Sequence, residues 1–231
     1  KMALKTILSY SPNFNSNKRT YKKIKFIIFH YTGMKKESDA IDRLTNIQSE
    51  VSSHYLIKKN GSIIVLVPDL YIAWHAGKSS WKNYVSLNQN SIGIEITNPG
   101  HEFGYKKFPK EQISSLLKLS KFLIKKYKIN SKNILGHSDI APQRKKDPGE
   151  KFPWEYLSKN KIGIWHTLNK QDLIKNRKLK ISKIEVNIFF RNLFKIGYSK
   201  KYSKDKSKNK YLKELAKTFQ RRFRQELVDG K

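Results

Sequence analysis

Six histidines punctuate the 231-residue chain, at positions 30, 54, 75, 101, 137 and 166. Two of them stand where an apolar run gives way to a loop. His30 closes Ile27-Ile28-Phe29-His30, and His137 follows Gly136 and opens a polar loop. Asp147 lies at the far end of that loop. Two imidazoles and one carboxylate are a competent open zinc site, with a fourth position left for water or substrate. By spacing alone a second reading stands beside it, in which each histidine is a hydrogen-bonded structural residue at a strand end. The chain has no cysteine. That excludes a disulfide scaffold, a thiolate metal site, an iron–sulfur cluster and a cysteine nucleophile.

Placing these residues requires strands and helices in alternation. The run Ile24–Phe29 is rich in β-branched and aromatic residues and reads as a buried strand. Ser38 or Asp39 is a candidate cap for a helix with an apolar face of Ile41, Leu44, Ile47 and Val51. Asn60-Gly61 between two apolar runs signals a hairpin. Ile92-Gly93-Ile94-Glu95-Ile96 reads as a strand whose alternation puts Gly93 and Glu95 on one face and the isoleucines on the other. Pro109 opens a helix with apolar positions 113, 116, 117, 123, 124 and 127, and a short strand covers 133–135. The expected fold class is α/β, a central mixed sheet flanked by helices, followed by a small all-α module. Residues 1–158 form the first part and residues 159–231 the second. In the second, Ile184, Ile188 and Leu193 mark one helix, and Leu212, Leu215, Phe219 and Phe223 another. The Lys-rich stretch 199–210 reads as a linker between them.

Several short runs taken together resemble one family. They are His30-Tyr31-Thr32-Gly33, Val51-Ser52-Ser53-His54-Tyr55, Ala73-Trp74-His75-Ala76-Gly77, Ser91 to Ile96, Gly136 to Pro142, and Arg144 to Gly149 with Phe152-Pro153-Trp154. They look like the zinc-dependent N-acetylmuramoyl-L-alanine amidases, which share a fold with peptidoglycan recognition proteins. The resemblance spans residues 8–158. It implies that zinc is held by His30, His137 and Asp147, that Glu95 is the general base, and that Lys145 stabilises the tetrahedral intermediate. It gives His54 no role at the metal. Trp74 and His75 are the candidates for substrate contact. Some phage relatives carry an assisting Tyr where this chain has Ser53, a departure that favours a carboxylate at Glu95. Non-catalytic recognition proteins lack an acidic or thiolate third ligand, so Asp147 argues for an active enzyme. The run Phe219-Gln220-Arg221-Arg222-Phe223-Arg224 followed by Val228-Asp229-Gly230 looks like the ending of a three-helix peptidoglycan-binding module.

The charge sets the partners. Forty-nine Lys and Arg against eighteen Asp and Glu give +31, a surface attractive to polyanions. The expected partner is peptidoglycan or a muropeptide, met by a monomer. No stretch approaches the roughly 20 apolar residues of a membrane span, and residues 1–10 carry no adequate signal-peptide core. The expected location is the bacterial envelope, periplasmic or outer-membrane associated, or else the cytoplasm. Two rivals make different predictions. A peptidoglycan-binding protein without catalysis binds muropeptide and never cleaves it. A nucleic-acid binder shows steep salt-dependent binding, but no base-reading or stacking motif accompanies the charge.

Overall fold

The computed structural model describes residues 5–177, 179, 181–201 and 207–231. Its strands are β1 (Thr6–Leu8), β2 (Phe14–Asn15), β3 (Phe26–Tyr31), β4 (Tyr55–Ile57), β5 (Ile63–Val65), β6 (Ile72–Ala73), β7 (Ser80–Trp81), β8 (Tyr84–Val85), β9 (Ser91–Ile96) and β10 (Ile134–Gly136). Its α-helices are α1 (Glu37–Thr45), α2 (Lys110–Tyr127), α3 (His137–Ile140), α4 (Trp154–Lys159), α5 (Lys170–Asn176), α6 (Lys183–Ile196) and α7 (Lys208–Phe223). Six strands form one mixed sheet in the order β1-β5-β4-β9-β3-β10. The other four make two small two-stranded pairs.

The sheet is covered on both faces, which is why its central strands read as near-continuous apolar runs. Ile27 and Phe29 of β3 and Ile92, Ile94 and Ile96 of β9 face α2, through Leu116, Leu119 and Leu123. Phe152 and Trp154 close the end of that layer. The opposite face carries Phe26, Ile28 and Leu135. It is covered by Leu193 and Tyr198 at the end of α6, and by Tyr211 and Leu215 of α7. The C-terminal helices therefore share a core with the sheet, and the 158/159 position falls within α4.

Most expected elements form. The Asn60-Gly61 hairpin joins β4 to β5 antiparallel, with Gly61 at φ +82°. Pro109 is the N-cap of α2. Three details differ. The first helix starts at Glu37, so Ser38 and Asp39 lie inside its first turn, and it ends before Ile47, which is exposed. Ile184 and Ile188 point outward, because α6 packs through Leu193 and the phenylalanines at 189, 190 and 194. In the stretch read as a linker, α7 has already begun at Lys208, while residues 202–206 lie outside the described residues.

Candidate active site

The parallel strands deliver their C-terminal ends to one rim, where open α/β sheets place ligand sites. His30 of β3 and Glu95 of β9 are direct partners in the parallel register, so their side chains leave the same face side by side. On the other flank of β3, β10 also runs parallel, and His137 follows it as the first residue of α3. Asp147 returns to this rim because its loop folds back onto the turn. Its carbonyl accepts from the Ser138 N–H at 2.9 Å. A Cβ at Gly136 would stand 2.6 Å from Pro148 Cδ, so only glycine allows that approach.

The result is a tight triangle. His30 Nδ1 lies 2.9 Å from His137 Nδ1, and Asp147 Oδ2 lies 3.1 Å and 3.0 Å from the two nitrogens. All three residues are buried. Burial, then the neighbouring His137, pushes His30 down to about 4, so the ring is neutral. The carboxyl of Asp147 is held well below the usual carboxylate range; burial opposes this, and the two histidines outweigh it. The Nε2–H of His137 donates to the Ala76 carbonyl at 3.2 Å, the tautomer that in a neutral ring frees Nδ1. No distribution of protons then satisfies all three contacts at once. Three lone-pair atoms converging in this way are what a single cation resolves, and among the described residues this is the one His/Asp/Glu group of that geometry.

Above the triangle opens a cleft of about 730 Å³. Glu95 and Lys145 both line it. Glu95 Oε2 is shielded from water and has no hydrogen-bond partner. Burial first, and the charge of Asp147 second, push its carboxyl up to about 8, against the lowering influence of Lys145 and Arg43. Lys145 follows a turn in which Arg144 donates to the carbonyls of Ala76 and Lys78 at 2.8 and 2.9 Å. Trp74 stands on the cleft wall with its indole N–H bound to Asn15 Oδ1 at 2.5 Å. His75, a candidate for substrate contact, also lines the cleft, and both its ring nitrogens are engaged: Nδ1 is 2.9 Å from His30 Nε2, and Nε2 is 3.1 Å from Ser91 Oγ. His54 is fully buried; its Nδ1 accepts from the Gly93 N–H at 3.0 Å, and its Nε2 lies 2.9 Å from Arg19 Nη2 and 3.1 Å from the Tyr71 carbonyl.

Two features escape a reading of motifs. His101, which looks like a surface residue, is half-buried on the cleft rim between Tyr31 Oη at 2.9 Å and Glu150 at 3.0 Å, and stacks on Tyr105. Asp139, two residues after His137, accepts from Gly136 N–H, Tyr198 Oη–H and Arg222 at 2.7–2.8 Å. Arg222 also lies 4.0 Å over the Trp154 ring. The last helix thus reaches the turn that carries His137. Nothing in the spacing of these residues announces the contact, because 83 positions separate its partners.

The chain is similar to known amidases in sequence and in fold. Residues 20–150 match the family model described as N-acetylmuramoyl-L-alanine amidase. The chain is 34% identical over 222 residues to the N-acetylmuramoyl-L-alanine amidase AmiD of Escherichia coli, covering 91% of this chain and 78% of that one. The structure of AmiD in complex with the substrate anhydro-N-acetylmuramic acid-L-Ala-D-gamma-Glu-L-Lys superposes with a TM-score of 0.77 at 33% identity, over 94% of this chain and 86% of that one. The 1,6-anhydro-N-acetylmuramyl-L-alanine amidase AmpD of Haemophilus influenzae is 42% identical over 113 residues, 48% of this chain and 59% of that one.

Proposed function

The chain belongs to the N-acetylmuramoyl-L-alanine amidase family, and from that premise we propose how its own residues cut the amide between the lactyl group of N-acetylmuramic acid and L-alanine. The observation that carries the reading is the convergence of His30 Nδ1, His137 Nδ1 and Asp147 Oδ2 at the floor of the cleft. Two imidazoles and a carboxylate suit zinc. Bound there, zinc supplies Lewis acidity toward the amide carbonyl and lowers the pKa of water toward ~7.

The protein supplies the proton traffic and the charge. Glu95 takes the proton of the attacking water and then delivers it to the leaving amine nitrogen. Its placement beside His30 in the sheet sets it next to the reacting carbonyl, and its raised pKa lets it hold that proton between the two steps. The Lys145 ammonium faces the developing oxyanion, where one such group is worth ~3–4 kcal/mol. Trp74 offers an apolar wall to the sugar or peptide. The substrate class is peptidoglycan or the muropeptides released from it during wall turnover. The surplus of lysine favours residence on the anionic wall, in the envelope rather than the cytoplasm. No helix among the described residues is long and apolar enough to cross a membrane.

The test is metal content and turnover together. We expect one zinc per chain, loss of activity on chelation, and recovery on adding zinc back. His30→Ala should lose both zinc and activity. An active preparation with substoichiometric metal would sink the reading, and a zinc-loaded chain that binds muropeptide without cleaving it would turn it into the non-catalytic rival.

A further inference from the structure

Each ligating histidine needs its other ring nitrogen held, because that bond decides which nitrogen keeps the proton. For His137 the Ala76 carbonyl does this directly. For His30 the partner of Nε2 is the ring of His75. We infer that His75 and Ser91 are positioning residues, a buried relay that fixes the tautomer of His30 so that its Nδ1 faces the metal without a proton.

The direction of the relay is set at its far end. The Leu87 carbonyl can only accept, so the Ser91 hydroxyl donates to it, at 2.6 Å. Ser91 Oγ is then the acceptor for His75 Nε2, at 3.1 Å, and Nε2 carries the proton. A neutral imidazole has one ring proton, so His75 Nδ1 is bare and accepts from His30 Nε2, at 2.9 Å. His30 therefore keeps its proton on Nε2 and presents a bare Nδ1 to His137 and Asp147. One carbonyl orders every hydrogen bond in the line.

The surroundings are built for this ring. A Cβ on Gly93 would meet the His75 ring at 2.4–2.6 Å, so the imidazole occupies the place of a side chain on β9. Asn88 Oδ1 accepts from the backbone N–H groups of His75 and Ala76, at 3.1 and 2.7 Å. The same short segment thus carries the partner of each ligand histidine, the ring for His30 and the carbonyl for His137. Ser91, Gly93 and Glu95 alternate along one face of β9, so that strand contributes a relay hydroxyl, a gap and an acid–base group in turn.

The inference rests on His30, His137 and Asp147 being the ligands, and its test separates the two. In metal-free full-length protein, nitrogen-15 NMR of the histidine rings should show His30 protonated on Nε2 only. Zinc affinity, measured by chelator competition, should fall 10–100-fold in His75→Phe, which keeps a ring and loses both nitrogens. His75→Asn, which returns an acceptor near the Nδ1 position, should recover most of that loss. Ser91→Ala should weaken zinc several-fold and leave His30 as a mixture of tautomers. A packing role alone would make Phe the better substitute and Asn the worse. An Nδ1-protonated His30 in the wild type overturns the inference, and this readout needs no variant to fold. So does unchanged zinc affinity in His75→Phe or Ser91→Ala. A wild type that binds no zinc overturns the ligand reading instead, and the nitrogen spectrum still decides the relay.

Discussion

Asp69 is a buried carboxylate and Glu95 one with a shielded oxygen at the cleft, and the chain treats them in opposite ways. Asp69 accepts from Tyr55 Oη–H at 2.6 Å, Tyr127 Oη–H at 2.5 Å and the Lys126 ammonium at 2.9 Å. Burial would raise its pKa, but the bonds from Tyr127, Tyr55 and Lys126 outweigh that and hold it below the ordinary range. Glu95 has a shielded oxygen with no partner, and its pKa moves upward. A carboxylate with its oxygens engaged is structural, since any change of protonation breaks bonds. A carboxylate left wanting can take up and release a proton at small cost, which is what a general base must do.

The largest expected difference is in turnover. Glu95→Gln should keep zinc and lower kcat by roughly 10²–10⁴-fold, the usual worth of a general base. Asp69→Asn, where it folds, should leave kcat within a few-fold. Near-normal kcat in Glu95→Gln would place the base elsewhere. Stability should show the reverse order. Asp69→Asn should cost about 3 kcal/mol in urea unfolding at pH 7, as when one member of a buried charged network is removed. Its folded pKa is depressed, so that contribution is present above the unfolded value of 3.8 and is lost as pH falls through the folded one. The gap between variant and wild type should therefore close in acid. The smallest effect has the opposite sign. The Glu95 folded pKa is raised, so its contribution is full below the unfolded value of 4.5 and is lost as pH rises through about 8. In metal-free protein, Glu95→Gln should gain on the wild type across that window, by about 1–3 kcal/mol. An equal loss of stability in both variants at pH 9 would erase the distinction.

The same contrast explains what could be read from sequence. Glu95, His30, His137 and Asp147 are singled out by the family resemblance of their surrounding runs; alternation alone only sets Glu95 opposite the isoleucines, and spacing alone leaves the histidines open to a structural reading. The hairpin and α2 carry local signals in Asn60-Gly61 and Pro109. Asp69 was not legible, since its partners at 55, 126 and 127 meet it only through the packing of α2 on the sheet. His75 announced itself as a motif residue, but its task depends on Ser91 and on the gap at Gly93, which no spacing rule connects. In α6 the apolar positions were visible and the inward face was not, because a helix with isoleucines outside and phenylalanines inside has apolar residues on both sides.

The bond from Arg222 to Asp139 ties the last helix to the first residues after β10. We expect helix and turn to open to solvent together, as one cooperative unit. Occupying the triangle at His137 holds that unit shut. If zinc binds there, its loading should slow amide hydrogen exchange in α7 as strongly as in the turn itself. Exchange in the last helix would then report on the triangle at a distance from it.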